Sequence, residues 1–227
     1  MPVVDHILVG AVAPLGPREV PSAIDKRPVR GRIHVGPEGL AGDAQGDRKN
    51  HGGPDKAIHQ YAFDHYATWQ ELIGPKTILE APGAFGENFS VRGLTEDNVA
   101  VGDTFRLGGA VIQVSQGRQP CWKLNVRFGV PDMATRVQQT GMMGWYYRVI
   151  ETGDVEPGDE FQLLDRLAPE WTIRRMWRIL YVDTMNLDEL ATMAALPHLP
   201  ALWRGYAERR LATRKVEDWT RRLTGAE

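Results

Sequence analysis

Glycine and proline are distributed very unevenly along this 227-residue chain, which limits the folds open to it. The first 165 residues contain 22 of the 24 glycines and 12 of the 15 prolines. Because both residue types interrupt helices and favour turns, the first part is restricted to short elements joined by turns, whereas the rest can form long helices. We therefore predict a domain boundary between Asp165 and Glu170, with one domain at 1–166 and a helical domain at 167–227.

The first domain has the pattern of a mainly β structure. Turn residues bound five short apolar runs that indicate strands, namely Ile7–Val12, Val29–Val35, Ala57–Ala62, Thr104–Leu107 and Val111–Ser115. The last two predict a hairpin in which Gly108 and Gly109 both supply the positive φ of a tight turn. Short strands at this spacing are typical of a barrel or sandwich, and we expect helical inserts at Asp64–Ile73 and Pro131–Gln139.

The second domain carries four apolar stripes at helical spacing, and each stripe needs a surface to cover it. Asn186 and Glu189 have the spacing of an N-cap and its N3 partner at the start of the second stripe. We expect a small helical bundle with the tryptophans in its core. The stripes are Ile173, Met176, Trp177 and Leu180; Leu187, Leu190, Ala191 and Ala194; Leu199, Trp203 and Tyr206; and Val216, Trp219 and Leu223.

Charge and composition describe an ordinary globular protein and exclude several partners. A net charge of −2 gives no reason to expect nucleic acid as a partner. No apolar run reaches the roughly 18 residues of a membrane span, so we expect no membrane partner. The first residues lack the features of a signal peptide, and one cysteine cannot form an internal disulfide. We therefore expect a cytoplasmic protein.

Cys121 is the only cysteine and lies in Arg118-Gln119-Pro120-Cys121-Trp122-Lys123, just after a strand-like run. A thiol acts as a nucleophile or metal ligand in its thiolate form, which nearby cations favour. Pro120 fixes its own φ and restricts the residue before it, which suits a rigid loop that holds one side chain in place. The alternative is that Cys121 is a small buried hydrophobe.

A second polar cluster extends from Gly42 to Ala57 and includes His51, Asp55 and Lys56. The two glycines after His51 allow the backbone to approach a ligand closely. These features predict an anion-binding corner, although a solvated surface loop is the alternative.

The histidines give little support to a zinc site. Cys121, His51 and His59 do not have the paired spacing of zinc ligands. We interpret His34, His59 and His65 as packing or surface residues.

Several segments in a fixed order resemble the MOSC family, which is named for the C-terminal domain of molybdenum-cofactor sulfurases. The chain is similar to the YiiM-like branch, which is linked to resistance against N-hydroxylated base analogues such as 6-hydroxylaminopurine. The resemblance covers nearly the whole chain. The segments are Ser22-Ala23-Ile24-Asp25-Lys26, Gly42-Asp43-Ala44-Gln45, His51-Gly52-Gly53-Pro54-Asp55-Lys56-Ala57, Phe85-Gly86-Glu87-Asn88, the Cys121 segment and Gly144-Trp145-Tyr146-Tyr147-Arg148-Val149.

The resemblance implies a MOSC β-barrel with short helical inserts, followed by a small helical 3-alpha domain. It also implies the molybdenum cofactor (Mo-molybdopterin), with Cys121 as the metal ligand, and a soft thiolate suits such a centre. Arg118 and Lys123 would neutralise the phosphate of the cofactor, and His51 would orient the cofactor or deliver protons. The other implied pocket residues are Asp55, Lys56, Asn88, Ser22 and Lys26.

The reaction implied by the resemblance is reduction of an N–OH group to N–H on a base analogue or amine. The sequence has no G-x-G-x-x-G after a strand, which the dinucleotide-binding fold requires. We therefore expect a separate reductase, a flavoprotein, to supply electrons, and the basic helical tail is one candidate surface for it. The oligomeric state, including a homodimer, is left open.

Other functions compete with this reductase. Cys121 could instead hold a persulfide or pass molybdenum cofactor to another enzyme as a non-catalytic carrier. A hydrolase could use Cys121 as nucleophile with His51, but no orienting residue or oxyanion loop is recognisable. The last alternative is a binding module with a packed thiol.

Overall fold

The computed structural model describes residues 1–47 and 52–226. Short strands dominate the first 165 residues, as the frequent glycines and prolines predict. The strands in chain order are β1 Val4–Val9, β2 Ala13–Leu15, β3 Val20–Ser22, β4 Arg27–Pro28, β5 Ile33–Gly36, β6 Gly39–Leu40, β7 Ile58–Ala62, β8 Phe89–Val91, β9 Thr104–Leu107, β10 Ala110–Gly117, β11 Trp145–Glu151, β12 Gly153–Val155 and β13 Gln162–Asp165.

Eight of these strands form one mixed sheet that curls into a half-barrel. Their order is β13-β9-β10-β11-β7-β8-β1-β4, in which β7 and β8 are parallel and the other pairs are antiparallel. The start of β1 approaches the segment before β13, where Val3 and Glu160 form an antiparallel bridge. The Val4 amide also donates to the Asp159 carbonyl at 2.9 Å. The predicted barrel architecture is therefore confirmed, in the form of a curled sheet.

The predicted hairpin is present, but its turn differs from the prediction. Leu107 of β9 pairs with Ala110 of β10 across a two-residue turn. Only Gly108 has a positive φ, of 52°, so the prediction that Gly109 also adopts one was wrong. The turn therefore uses the conformational freedom of one glycine.

Two predicted strands differ from the structure by three or more residues at an end. The strand expected at Ile7–Val12 ends at Val9, because the Gly10 amide turns to donate to Asp43 Oδ1 at 2.8 Å. The strand expected at Val29–Val35 is interrupted by Gly31, whose φ is 74°. Polar contacts and turns therefore determine these strand ends.

The helices include both predicted inserts and one that was not predicted. Helix α1, His65–Ile73, corresponds to the insert predicted at Asp64–Ile73, and helix α3, Met133–Thr140, to the one at Pro131–Gln139. Helix α2 begins two residues after Cys121 and had no prediction. The bounds are α1 His65–Ile73, α2 Lys123–Phe128, α3 Met133–Thr140, α4 Ile173–Tyr181, α5 Leu187–Ala195, α6 Ala201–Thr213 and α7 Thr220–Thr224.

The predicted small helical tail is confirmed, and its apolar residues join the hydrophobic core of the sheet. Trp171 and Trp203 are fully buried, whereas Trp177 and Trp219 are half-buried. The prediction for the second stripe was partly wrong, because Leu187 and Ala191 are exposed. The Asn186 cap is confirmed, since its side chain accepts from the Glu189 amide at 3.2 Å.

Strand β13 ends at Asp165 and α4 begins at Ile173. The boundary between Asp165 and Glu170 stays a prediction. Over residues 1–47 and 52–226, no helix is both long and apolar enough to span a bilayer.

Candidate cofactor site

Cys121 lies in the loop between the end of β10 at Gly117 and the start of α2 at Lys123. The Arg118 amide donates to the Gly144 carbonyl at 2.9 Å, which fixes the start of the loop against the segment before β11. The Leu124 amide donates to the Cys121 carbonyl at 3.0 Å and opens α2. The Cys121 side chain is buried and lines two adjoining cavities.

The inner cavity has a volume of about 90 Å³ and brings together most of the predicted site residues. They come from the end of β3 and the loop after it, from the turn before β7, from the segment before β8, and from the Cys121 loop and the start of α2. These residues are far apart in the chain, and the curled sheet brings them together. The predicted residues that line the cavity are Ser22, Lys26, Lys56, Asn88, Arg118, Cys121 and Lys123.

Two predicted residues are not placed in this cavity. Asp55 lies outside it, and its carboxylate pairs with Arg148 at 2.7 Å. The Asp55 carbonyl accepts from the Ser115 hydroxyl at 2.6 Å, which ties the turn to β10. His51 lies outside the described residues.

Arg118 provides the clearest sign that the cavity binds an anion. Its side chain is buried, and its Nη1 has no hydrogen-bond partner among the described residues. A buried donor without a partner costs free energy, so a ligand that accepts from it would be stabilised. Among the described residues, the charged side chains lining this cavity are the cations Lys26, Lys56, Arg118 and Lys123 and the carboxylates Asp43 and Asp47.

Burial also affects the lysines of the cavity. It lowers the pKa of the Lys26 ammonium, while Asp43 acts in the opposite direction. It lowers the pKa of Lys56 too, against the opposing effect of Asp47 and Asp55. Lys123 donates from Nζ to the Pro21 carbonyl at 3.1 Å. Lys26 and Lys123 are thus held by Asp43 and by the Pro21 carbonyl, and the excess of four cations over two carboxylates in the described lining favours binding of a negatively charged group.

Asp43 accepts hydrogen bonds from three groups in one wall of the cavity, although the sequence analysis did not select it as a site residue. Its Oδ1 accepts from the Gly10 amide at 2.8 Å and from Lys26 Nζ, and its Oδ2 accepts from Asn88 Nδ2 at 2.8 Å. Asn88 also accepts from the His59 amide at 3.0 Å and donates to the Leu8 carbonyl at 3.1 Å. Asn88 is therefore fully engaged in holding three strands and Asp43 together.

His59 is a second residue that the sequence analysis missed, since it was interpreted as a packing or surface histidine. It is buried on β7, lines the cavity, and has an Nε2 without a partner among the described residues. Burial, and then the positive charge of Arg118, hold its pKa well below 6.5. The run Ala57–Ala62 is apolar except for a histidine and a glutamine, and these two polar residues could have indicated that His59 has a role in the site.

Tyr146 forms part of the wall between the two cavities, because it lines both. Burial raises the pKa of its phenol, and Arg118 acts in the opposite direction. The phenol is therefore protonated at neutral pH and can donate a hydrogen bond. Its ring lies 5.1 Å from that of His59.

The C-terminal segment contacts the Cys121 loop directly. Asn125 Nδ2 donates to the Leu223 carbonyl at 2.8 Å, and Arg18 Nη1 donates to the Gly225 carbonyl at 3.1 Å. Arg18 also lies over the Trp122 ring, at 4.2 Å from its centre. The end of the chain therefore belongs to the surroundings of the site.

Two family models match the chain. The model described as "MOSC domain" matches residues 47–162, and the one described as "YiiM-like, 3-alpha helix domain" matches residues 171–214. This chain belongs to the MOSC family. The family predicted from the sequence is thereby confirmed, and the helical tail corresponds to the 3-alpha domain.

Similar proteins extend the match over most of the chain. Protein YiiM of Escherichia coli (strain K12) is 39% identical over 209 residues, which are 92% of this chain and 93% of that protein. The crystal structure of YiiM from Escherichia coli has a TM-score of 0.82 at 33% identity and covers 98% of both chains. A protein named Reductase from Gibberella moniliformis (strain M3125 / FGSC 7600) is 37% identical over 180 residues, 79% of this chain but 32% of that protein.

MOSC domains are associated with binding of the molybdenum cofactor, and the residues of the inner cavity fit that group. Among the described residues, no three His, Cys, Asp or Glu side chains gather as a metal site made only of protein ligands would need. Cys121 instead offers one soft sulfur ligand, which suits a metal whose other ligands belong to the cofactor. Arg118 Nη1, which has no partner within residues 1–47 and 52–226, fits a phosphate oxygen.

Proposed function

We propose that this MOSC protein is an oxidoreductase that uses the molybdenum cofactor to reduce N–OH groups to N–H on base analogues or amines. The observation that carries the proposal is that Cys121 lines the same cavity as a buried arginine whose Nη1 has no partner among the described residues. A sulfur ligand suits the metal of a molybdopterin, and an anion site suits its phosphate. The fungal relative named Reductase supports an oxidoreductase role.

In this proposal Arg118, Lys123 and Lys26 bind the phosphate of the cofactor and Cys121 ligates its metal. The bound cofactor supplies the two-electron redox chemistry that side chains cannot provide. Reduction of R–NH–OH consumes two electrons and two protons and yields R–NH₂ and water. The protein therefore has to position the N–OH group and supply protons.

The described residues offer two groups for these tasks. Tyr146 keeps its proton at neutral pH, because burial raises its pKa, and it can donate a hydrogen bond to the departing oxygen. His59 is neutral because its pKa is lowered, and we propose that it positions a polar group through Nε2. The sequence-based proposal for His51, orientation of the cofactor or proton delivery, is kept.

Electrons would come from a separate reductase, a flavoprotein. We propose the basic helical tail as its docking surface. Because the end of this tail contacts the Cys121 loop, charge reversal at exposed residues is a cleaner test than deletion. Arg214→Glu and Lys215→Glu should slow electron transfer from the reductase and leave turnover with a small artificial donor unchanged.

Turnover with an artificial electron donor tests the proposed activity. The cofactor-loaded protein should reduce 6-hydroxylaminopurine to the amine with one water released, and Cys121→Ser should abolish this activity. A protein that binds molybdenum but reduces no N-hydroxylated compound would instead be a carrier. Burial of the Cys121 side chain favours the reductase, because a carrier must present its sulfur to another protein.

A further inference from the structure

Asp55 belongs to a motif of the family, yet it does not line the inner cavity, and its contacts lie on the other side of its turn. Arg148 Nε donates to Asp55 Oδ1 at 2.8 Å, and Arg148 Nη2 lies 2.7 Å from the same oxygen. The next residue, Lys56, ends the turn Pro54–Lys56 and lines both cavities. A carboxylate held outside the site therefore comes directly before a cation that lines it.

Arg148 connects this turn to two other parts of the molecule. Its Nη1 donates to Gln113 Oε1 at 3.1 Å and to the His198 carbonyl at 3.1 Å. Gln113 belongs to β10, and His198 lies between α5 and α6 of the helical tail. Because a guanidinium presents several donors in a rigid fork, one side chain can hold three acceptors at once. The turn is thus tied both to the sheet and to the 3-alpha domain.

A second contact holds the same turn through its backbone. The hydroxyl of Ser115, which is fully buried, donates to the Asp55 carbonyl at 2.6 Å and lies 3.0 Å from the Tyr146 carbonyl. The side chain and the carbonyl of Asp55 are therefore both fixed against β10 and β11. This arrangement leaves the adjoining Lys56 at one defined place in the lining of the cavities.

Lys56 occupies the junction of the inner cavity with a larger neighbour. The second cavity has a volume of about 810 Å³, so a cofactor anchored in the inner cavity has room to extend into it. Lys56 lines both, and it therefore lies beside the path that such a molecule follows. A lysine acts as a point charge on a flexible stem, so its effect on an anion depends on how its backbone is held.

We infer that Arg148 is a positioning residue that acts through Asp55 to hold Lys56 at the cofactor site. The inference rests on the proposed function, because that function gives Lys56 an anionic partner. It gives Asp55 a role outside the cavity, and it gives the 3-alpha domain a second role, since the His198 carbonyl orients Arg148. An ion pair that only stabilised the fold would instead affect all lysines of the site alike.

Acetylation of lysines tests the position of Lys56 without cofactor or turnover. Full-length protein from a host that does not make the cofactor is treated with dilute acetic anhydride, and peptide mass spectrometry gives a rate for each lysine. We expect Arg148→Met and Asp55→Asn each to raise the rate at Lys56 about fivefold relative to the exposed Lys215, the effect of losing one partly exposed ion pair. Arg148→Lys, which keeps the charge but not the fork, should give an intermediate rate.

The chain provides controls inside and outside the site. Lys26 and Lys123 are buried in the lining of the same inner cavity, and their rates should stay at the wild-type values. Arg106 also belongs to the large sheet and pairs with Glu151 at 3.8 Å, but it lines neither cavity. Arg106→Met should therefore leave Lys56 unchanged.

Release of molybdenum during anaerobic dialysis of the cofactor-loaded protein tests whether Arg148 acts through Lys56. Arg148→Met should speed the release about fivefold, and Lys56→Ala should speed it at least as much. The double variant should release molybdenum no faster than Lys56→Ala, because two residues that act as one unit are not additive.

The failures of the two proposals are distinguishable. An unchanged rate at Lys56 in both Arg148→Met and Asp55→Asn would overturn the inference, and so would equal increases at Lys26, Lys56 and Lys123. Additive effects on molybdenum release would also overturn it. A selective increase at Lys56 in a protein whose wild type binds no molybdenum would contradict the proposed function, while the hold of Arg148 on Lys56 would stand.

Discussion

Arg222 holds the backbone on both sides of Cys121. Its guanidinium donates to the Pro120 carbonyl, and its own carbonyl accepts from the Trp122 amide at 2.8 Å. The same guanidinium donates to Gln138 Oε1 at 2.5 Å. A residue five positions from the end of the chain thus fixes the loop that carries the only thiol.

Loss of the Arg222 side chain should loosen this loop. A hydrogen bond between a charged group and a carbonyl is worth about 1.5 kcal/mol or more, so Arg222→Ala should speed alkylation of Cys121 by iodoacetamide about tenfold. Because the chain has one cysteine, the reaction reports on that position alone. Arg222→Lys should restore part of the protection, and Arg221→Ala, its exposed neighbour, should react like the wild type. Equal rates in Arg222→Ala and the wild type would contradict the role of Arg222.

The buried pair of Lys26 and Asp43 should matter for stability. Both side chains are less than a tenth exposed, and removal of one partner leaves the other charge buried and uncompensated. We expect Asp43→Asn to lower the free energy of unfolding by about 3 kcal/mol, measured by urea denaturation. The double variant Lys26→Met with Asp43→Asn should recover part of this loss.

Asp25 provides the matched control for this experiment. It also pairs with arginines, but it is half-exposed, so Asp25→Asn should cost no more than about 1 kcal/mol. If Asp25→Asn and Asp43→Asn lower the free energy of unfolding by similar amounts, the buried pair contributes no more to stability than an exposed one.

Stability should fall in mildly acidic solution because of His59. Its pKa in the folded protein lies well below 6.5, so below that pH the unfolded chain binds more protons than the folded one. The stability that depends on neutral His59 is present above pH 6.5 and is lost as the pH falls. This contribution has a slope of up to about 1.4 kcal/mol per pH unit.

Urea denaturation between pH 5 and 7.5 measures this effect. His59→Gln should flatten the profile, whereas His6→Gln, which changes an exposed histidine, should not. Parallel profiles for the wild type and His59→Gln would rule out the proposed protonation effect.

The parts of the site that are local in sequence could be predicted from the sequence. Arg118, Cys121 and Lys123 lie within one short segment, so their resemblance to a family motif was visible, and all three line the inner cavity. The hairpin was also predictable, because it depends on adjacent strands and a turn. The family motifs also indicated the distant residues Ser22, Lys26, Lys56 and Asn88, but not the contacts between distant residues that hold the site together.

Asp43 shows why the rest could not be predicted. Its role depends on Gly10, Lys26 and Asn88, which come from different strands and loops and meet only after the sheet has curled. Arg222 is a similar case, because nothing in its local sequence indicates a contact with Pro120. Asp55 is the opposite case. It was predicted as a site residue from the motif, but it lies outside the cavity and pairs with Arg148.

Arg118 should control retention of the cofactor more than stability of the fold. Arg118→Ala removes the buried donor that we assign to the phosphate, so the molybdenum content after purification should fall at least about tenfold, the equivalent of one charge-assisted hydrogen bond. Arg30→Ala, which changes an exposed arginine, should retain the cofactor. A large fall in Tm with normal molybdenum content would make Arg118 a structural residue.

Ligation of molybdenum by Cys121 can be measured from the molybdenum and pterin contents of anaerobically purified protein. The wild type, expressed in a host that makes the cofactor, should contain nearly one molybdenum per chain. Cys121→Ser should lose the metal while its Tm stays close to that of the wild type, because a hydroxyl of similar size is a harder ligand. Equal molybdenum in the wild type and Cys121→Ser, or none in either, would contradict the claim.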